Sequence, residues 1–328
     1  MNVKKAQSGP GTAIDVSIII VSWNARDYLL KCLASIDLTR SDLSLEIIVV
    51  DNASVDGSPE AVARDYPNVC LIQTGENLGF AKGNNVGIAR ATGRYLALVN
   101  SDVVVMKDCF QNLVQFMDDH PDVGMAGPRI LNPDMTLQIS CRRSPSVWCD
   151  FGQALFLNRI PLIRRVFPPP EMIPLESDPI QRVPVIYGMF WMVSRKALEG
   201  VGSLDPDYFM YGEDMDWCKR FHSMGWGLVY CPGSRAIHFG GASSSVAPAR
   251  FFVEKIRSRL LYFHKHHGRV GSALESAALF VESIVRFVCW SLVRIVAPKR
   301  REVARVNIER HAACICFLLG RDSIQVGR

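Results

Sequence analysis

Two rhythms of apolar residues alternate over the first 240 positions. Short apolar runs at 16–21, 45–50 and 69–72 predict strands, and the run at 95–99 predicts a fully buried one. Between them lie stretches of helical spacing. Residues 27–36 place Leu29, Leu30, Leu33 and Ile36 on one face, and 58–65 and 79–91 follow the same period. Residues 108–120 predict another helix and 123–126 another short strand. Strands and helices alternating at this spacing predict βαβ units and a mostly parallel sheet.

The rhythm then breaks. Residues 132–182 are irregular and rich in proline, with Pro168, Pro169, Pro170, Pro174 and Pro179, and predict a long surface excursion near an acceptor. An apolar strand pattern resumes at 183–193, and short helices follow at 195–200 and 213–224. Strands are expected at 227–231 and 237–239. From residue 251 the character changes. The apolar stretch 272–297 is interrupted by Glu275, Glu282, Arg286 and Arg294, and the first three leave one stripe of a helix polar. Those charges argue against a spanning helix. They suit an amphipathic helix lying in a membrane interface. Packing against the main domain or another subunit is the competing reading. Residues 312–319 form a shorter stretch of the same kind. The expected division is a flexible leader at 1–14, an α/β domain at 15–245 and a basic, amphipathic helical region at 246–328.

Charge sharpens that boundary. The net charge of the 328 residues is +5. From Arg250 onward there are 15 Lys/Arg against 6 Asp/Glu, a balance of +9, which leaves 22 against 26, or −4, for the rest. A basic and apolar tail fits an anionic lipid surface better than nucleic acid. The ten cysteines include no CxxC pair, so zinc spacing is absent. With no apolar signal segment at the N-terminus, they suggest a reducing, cytoplasmic setting.

The candidate chemistry sits at strand ends. The strand at 95–99 runs directly into Asn100, Ser101 and Asp102. A carboxylate at the end of a buried strand is costly unless a cation or a donor meets it. A divalent metal or the capping of a following helix would meet that need. Ser22 with Asn24, and Asp51 with Asn52, close two other strands, and ligands of open α/β sheets bind at that edge. Mg²⁺ prefers oxygen ligands and bridges carboxylates to a diphosphate. His238, just past a late strand, is a candidate further ligand or a structural residue, and Mn²⁺ accepts imidazole more readily. Three carboxylates crowd a helix start at Glu213, Asp214 and Asp216. Capping and the helix dipole account for one or two of them. Asp214 is the candidate to take a proton from a hydroxyl nucleophile. The loop 77–85 brings Asn77, Gly79, Lys82, Gly83 and Asn84 to another helix start, whose amides suit a diphosphate. It is not a Walker A loop, and no G-x-G-x-x-G follows the first strand, which counts against an oxidoreductase.

In order, the motifs Val-Ser-Trp-Asn (21–24), Val-Val-Asp-Asn-Ala-Ser-x-Asp-Gly-Ser (49–58), Asn-x-Gly-Phe-Ala-x-Gly-Asn-Asn (77–85), Asn-Ser-Asp (100–102), Gly-Glu-Asp-x-Asp (212–216) and a late His resemble the family 2 glycosyltransferases of GT-A fold. They are most similar to the rhamnosyltransferase-like branch. The likeness covers roughly residues 15–240. It implies an α/β, Rossmann-like sheet flanked by helices, here with a helical C-terminal extension. It also implies an inverting transfer of one sugar, rhamnose first, from a dTDP- or UDP-linked donor. The acceptor would be a glycan or lipid-linked saccharide in cell-surface polysaccharide synthesis, at the inner face of the cytoplasmic membrane. By the resemblance, Asp51 would contact base or ribose. Ser22, Asn24, Asn77, Gly79, Lys82, Asn84, Asn100 and Ser101 would line the donor pocket. Asp102 and His238 would hold Mg²⁺ or Mn²⁺, Asp214 would be the base with Glu213 beside it, and Trp191 and Tyr211 would meet the acceptor. Asn100 departs from the usual Asp of the metal motif. The Gln-x-x-Arg-Trp motif of processive synthases is missing, so one sugar per encounter is expected. A nucleotidyltransferase making sugar nucleotides is a rival, but Ser22–Arg26 is not its Gly-rich, Arg-containing loop. A non-catalytic sugar-nucleotide or glycan-binding module is another, opposed by the intact Glu213–Asp214 pair.

Overall fold

The structure is a computed structural model that describes residues 13–38, 42–172, 180–240 and 248–320. Most of the expected leader (1–12), Pro174, Pro179 and the last eight residues (321–328) lie outside the described residues. In chain order the elements are β1 (Val16–Ser22), α1 (Arg26–Leu38), β2 (Leu45–Asp51), α2 (Ser58–Asp65), β3 (Cys70–Gln73), α3 (Gly79–Arg90), β4 (Tyr95–Asn100), β5 (Val103–Val105), α4 (Cys109–Asp119) and β6 (Val123–Leu131). There follow β7 (Cys141–Arg142), α5 (Val147–Ala154), β8 (Glu171–Met172), β9 (Gln181–Arg182), β10 (Val185–Ile186), β11 (Phe190–Ser194), α6 (Arg195–Val201), α7 (Glu213–Ser223), β12 (Gly227–His238), α8 (Pro248–Val296) and α9 (Arg301–Leu318). The chain divides into two compact units: 1–143 with 171–209 and 213–243, and 144–170 with 210–212 and 244–328.

The first unit is built on one sheet of order β3-β2-β1-β4-β11-β6-β12-β5, with β9 on β12. The β-branched runs make its parallel half: β1 pairs with β2 and β4, and β2 with β3, all parallel. In β1, β2 and β4 the side chains are buried on both faces, as in Ile18, Ile19, Val49 and Leu98, whereas the edge strand β3 is only partly buried. Burial on both faces is why the three inner strands read as continuous apolar runs rather than alternating ones. The register aligns the polar ends, with Ser22 opposite Asp51 and Val21 opposite Asn100.

Two features differ from the pattern-based expectation. The 183–193 run is two pieces: Val185–Ile186 joins β7 in a small second sheet, and Phe190–Ser194 inserts antiparallel between β4 and β6. Residues 227–238 form one strand rather than two, with a register shift between Cys231 and Arg235. Its last residues turn antiparallel onto β5, so that His238 faces Val103. That shift carries the late histidine to the edge where β4 ends.

The second unit is helical. The excursion is not structureless, since it contains α5 and two 3₁₀ turns, Leu157–Arg159 and Ile163–Arg165. Gly268 (φ 67) breaks α8 and reverses it, bringing the Ser272 hydroxyl to 3.4 Å from the Leu260 carbonyl. Only glycine adopts such a φ without strain. α9 packs back on this hairpin through Ile256, Leu279 and Cys314. Among the described residues no helix is long and apolar enough to cross a membrane.

Candidate active site

Three adjacent parallel strands end in Asp51, Ser22 and Asn100, and their ends are tied together by backbone. The Asn52 amide donates to the Ser22 carbonyl (2.8 Å), and the Asn100 amide to that of Met189 (3.1 Å). Asn24 sits at φ 48 and links two turns: its amide donates to Ser54 Oγ (2.9 Å), and its Oδ1 accepts from the Val55 amide (2.8 Å). Asp51 is buried, with Oδ2 accepting the Ser54 amide at 3.1 Å. Asp51 Oδ1, Asn52 Oδ1 and Ser22 Oγ are buried without a hydrogen-bond partner. Buried polar atoms are rarely left unpaired, so this cluster suits a polar ligand.

Gly79 opens α3 beside it. The Asn77 side chain accepts the Gly79 amide (3.0 Å), and Asn52 Nδ2 donates to the Gly79 carbonyl (3.0 Å). The backbone of Gly79 has φ 79, and a Cβ there would lie 2.3 Å from the Phe209 carbonyl oxygen. The same carbonyl accepts the Phe80 amide at 2.7 Å. The 77–85 loop is thereby fastened to the stretch that leads into α7. Asn84 is turned into its own helix, donating to the Phe80 carbonyl (2.9 Å), while Lys82 is exposed.

Asp102 and His238 converge. His238 Nε2 lies 3.2 Å from Asp102 Oδ1, and Nδ1 lies 2.8 Å from Gln138 Oε1. Gln138 Oε1 can only accept, so Nδ1–H donates to it, which turns Nε2 toward the carboxylate. The Phe239 amide donates to the Asp102 carbonyl (3.0 Å), and the Phe239 ring packs on Tyr28, with centroids 5.4 Å apart. One oxygen and one imidazole nitrogen at such a point fit Mg²⁺ or, better, Mn²⁺. Among the described residues no group of three His, Cys, Asp or Glu gathers to hold a metal. A cation here would take its remaining ligands from a diphosphate or from water.

The third element is the start of α7, entered through two left-handed residues, Tyr211 (φ 67) and Gly212 (φ 81). Glu213, Asp214 and Asp216 are all buried. Asp216 is structural: it pairs with Arg220 (2.8 Å), which also holds the Val201 and Ser203 carbonyls. Burial first, and then the adjacent Asp214 carboxylate, push the Glu213 carboxyl well above its ordinary range. Asp214 Oδ1 accepts the Met215 amide at 2.8 Å. Tyr187 lies within its field. Burial pushes that phenol up to about 12, Arg142 opposes the shift, and Asp214 adds to it. The turn 187–189 thus stands between Asp214 and the end of β4.

A model of glycosyl transferase family 2 matches residues 17–202, more than half of the chain. The chain belongs to glycosyl transferase family 2. It is 28% identical over 264 residues, 76% of its own length and 84% of the relative's, to the N-acetylglucosaminyl-diphospho-decaprenol L-rhamnosyltransferase of Mycobacterium tuberculosis (strain CDC 1551 / Oshkosh). With the rhamnosyltransferase WbbL of Escherichia coli K12 it shares 28% over 254 residues, 75% of this chain and 92% of that one. Among solved structures, the mannosyltransferase PcManGT of Pyrobaculum calidifontis, in complex with GDP-Man and Mn²⁺, superposes with a TM-score of 0.52. It is 18% identical and covers 96% of this chain and 89% of its own. The fold is therefore GT-A and the protein is a glycosyltransferase.

Within this family 2 enzyme the expected residues divide. Ser22, Asp51 and Asn100 end neighbouring strands, Asp102 lies in the turn between β4 and β5, and Asn77 and Gly79 are tied to the strand ends through Asn52. His238 reaches Asp102 across the sheet. Trp191 is a correction. It is 0% exposed, packed edge-to-face against Phe80 and Trp217, with its indole N–H given to the Ile186 carbonyl (3.0 Å), so it has no surface to offer an acceptor. Tyr211 is half-buried in the turn before α7. Gln138, Arg142 and Tyr187 were not singled out in the sequence. All three lie in or beside the proline-rich stretch, and no motif flags them. The sequence signal that Gln138 carries is the apolar flanking of a short strand-like run, Leu137–Ile139.

Proposed function

We propose that this enzyme moves one sugar, L-rhamnose in preference, from a nucleotide-diphospho-sugar to a hydroxyl of a lipid-linked saccharide, with inversion and with a divalent metal. The observation that carries this reading is the pairing, in one unit, of the Asp102–His238 couple with the Glu213–Asp214 couple. The first suits the diphosphate of a donor and the second the hydroxyl of an acceptor. The two relatives named above as rhamnosyltransferases favour the donor sugar. The diphospho-decaprenol in one relative's name favours a lipid-linked acceptor at a membrane surface.

The chemistry follows from charge placement. Two adjacent buried carboxyls do not readily ionise together, and Glu213, pushed upward, takes the proton. The pair then carries one negative charge, seated on Asp214. Asp214 accepts the proton of the acceptor hydroxyl as its oxygen attacks the anomeric carbon. The bond from that carbon to the diphosphate oxygen breaks on the opposite side, which inverts the centre. Asp102 and His238 would hold the metal, which when bound supplies positive charge to the departing diphosphate. Asp51 and the unpaired Ser22 and Asn52 oxygens bind the nucleoside, and the Asn77–Gly79 turn holds the pocket against α7.

The test is release of nucleoside diphosphate from a panel of dTDP- and UDP-sugars, with a lipid-linked saccharide acceptor and with Mn²⁺, Mg²⁺ or EDTA. Release from dTDP-rhamnose that requires both acceptor and metal supports the reading. Undiminished turnover in EDTA removes the metal from it, and turnover confined to another donor removes rhamnose.

A further inference from the structure

The second arm of α8 wears its polarity inside out. In α8 beyond Gly268, the charged stripe faces inward: Glu275 is 0% exposed and pairs with Arg259 (2.5 Å), which also pairs with Asp150 of α5. Glu282 and Arg286 turn to the same side. Gln153 donates to Glu282 (3.5 Å), and Arg286 lies 4.0 Å from the Phe156 ring. What the helix presents outward is apolar, with Val288, Leu292 and Ile295 exposed at 51%, 56% and 72%. A helix on a water-facing surface has the opposite arrangement.

The segment packed on that helix continues the theme. Between Asp150 and Glu171 there is no acidic residue, while Arg159, Arg164 and Arg165 are exposed. Interleaved with them are Ile160, Leu162 and Val166, and Leu162 is 78% exposed at the turn between the two 3₁₀ segments. Residues 283–301 of α8 and beyond likewise carry five Lys/Arg and no acid. Exposed apolar groups set among basic ones, with Asp150 and Glu275 withdrawn inside and the exposed Glu302 and Glu309 of α9 paired to Arg305, match a bilayer of anionic lipid: side chains enter the acyl boundary while arginines meet phosphates. A second copy of this chain is a poorer occupant, because it would set Arg159, Arg164 and Arg165 against themselves.

We propose that the segment 155–166, together with the outward face of α8 beyond Gly268, is the surface by which the enzyme inserts into an anionic membrane. The proposal rests on the reading that the acceptor is lipid-linked, and it assigns the docking to particular residues. The full chain is floated with phosphatidylglycerol-containing vesicles and with pure phosphatidylcholine vesicles, as wild type, Leu162→Asp and Ile295→Asp. Each substitution is on an exposed side chain, and an unchanged melting temperature reports an intact fold. The expected result is flotation of wild type with anionic vesicles, at least tenfold weaker with neutral ones or in high salt, and a tenfold or greater loss in each variant. Wild type that stays unbound, or variants that float like wild type, overturn the proposal. A wild-type dimer that Leu162→Asp dissociates, without flotation, overturns it in favour of self-association. Sugar transfer to the lipid-linked acceptor in detergent is measured alongside. Transfer without flotation leaves the acceptor reading standing and removes this docking surface. Flotation without transfer does the reverse.

Discussion

Gly79→Ala tests the join between the 77–85 loop, proposed to bind the donor, and α7, proposed to carry the base. Gly79 has φ 79, and the added Cβ would stand 2.3 Å from the Phe209 carbonyl oxygen. A left-handed backbone costs a residue with a Cβ roughly 1–2 kcal/mol. The clash adds to this, because its partner is backbone. Relief requires moving one chain from 2.3 to the 3.4 Å of ordinary contact, about 1 Å. Such a movement breaks the Phe80 N–H to Phe209 bond of 2.7 Å, worth about 1 kcal/mol. The sum is about 2–3 kcal/mol. Gly75→Ala is the control: its φ is also positive, at 80, but nothing lies within 4 Å of the added Cβ. It should lose the backbone cost alone. Urea unfolding gives the stability loss, and titration with a nucleoside diphosphate gives donor-site affinity. Gly79→Ala should lose about twice as much stability as Gly75→Ala. Its turnover should fall on the order of 100-fold, as displacements of about 1 Å near a site do. Equal losses in the two variants, with affinity and turnover unchanged, would refute the coupling through Phe209.

Gln138→Leu removes the acceptor that fixes the His238 ring; Mn²⁺ affinity, read by calorimetry in the presence of nucleoside diphosphate, should fall about tenfold, and unchanged affinity would count against Gln138 as a positioning residue. Glu275, buried against Arg259 and Asp150 and near Glu282, has its pKa raised from 4.5 to about 7, chiefly by burial. The folded chain holds that proton more tightly than the unfolded one, so the stability it contributes is complete below pH 4.5 and is lost as pH rises to about 7. At about 1.4 kcal/mol per pH unit the loss reaches about 3 kcal/mol, and Glu275→Gln should flatten that part of the urea midpoint-versus-pH curve; an identical slope in the variant would remove Glu275 as its source.

Much of this was legible because the relevant forces are local. Strands β1, β2 and β4 announce themselves by β-branched runs, since burial on both faces leaves no alternation to blur. Asp102 and Glu213–Asp214 stood out because carboxylates at a strand end and crowded at a helix start each need an explanation. What stayed hidden depends on distant partners. An apolar run gives no sign of its direction, so the antiparallel insertion of β11 beside β4 was unreadable. Trp191 looked available to an acceptor because an aromatic's burial is set by Phe80 and Trp217, over a hundred positions before it and 26 after it. The polar stripe of α8 gave no sign of what it would meet. It faces inward because Arg259, on the other side of the Gly268 break and itself paired with Asp150 of α5, reaches Glu275 over a distance that no local period connects. Gln138 was lost in a stretch whose prolines masked its short strands.

Asp214 is proposed as the base that deprotonates the acceptor. Asp214→Asn keeps the shape of the side chain and the contact to the Met215 amide but cannot take the proton. Donor binding by calorimetry and sugar transfer to the lipid-linked acceptor are measured on the same preparation. The account predicts donor affinity within about twofold of wild type, with transfer reduced by at least about a thousandfold. Transfer by Asp214→Asn at a rate near that of wild type would contradict it.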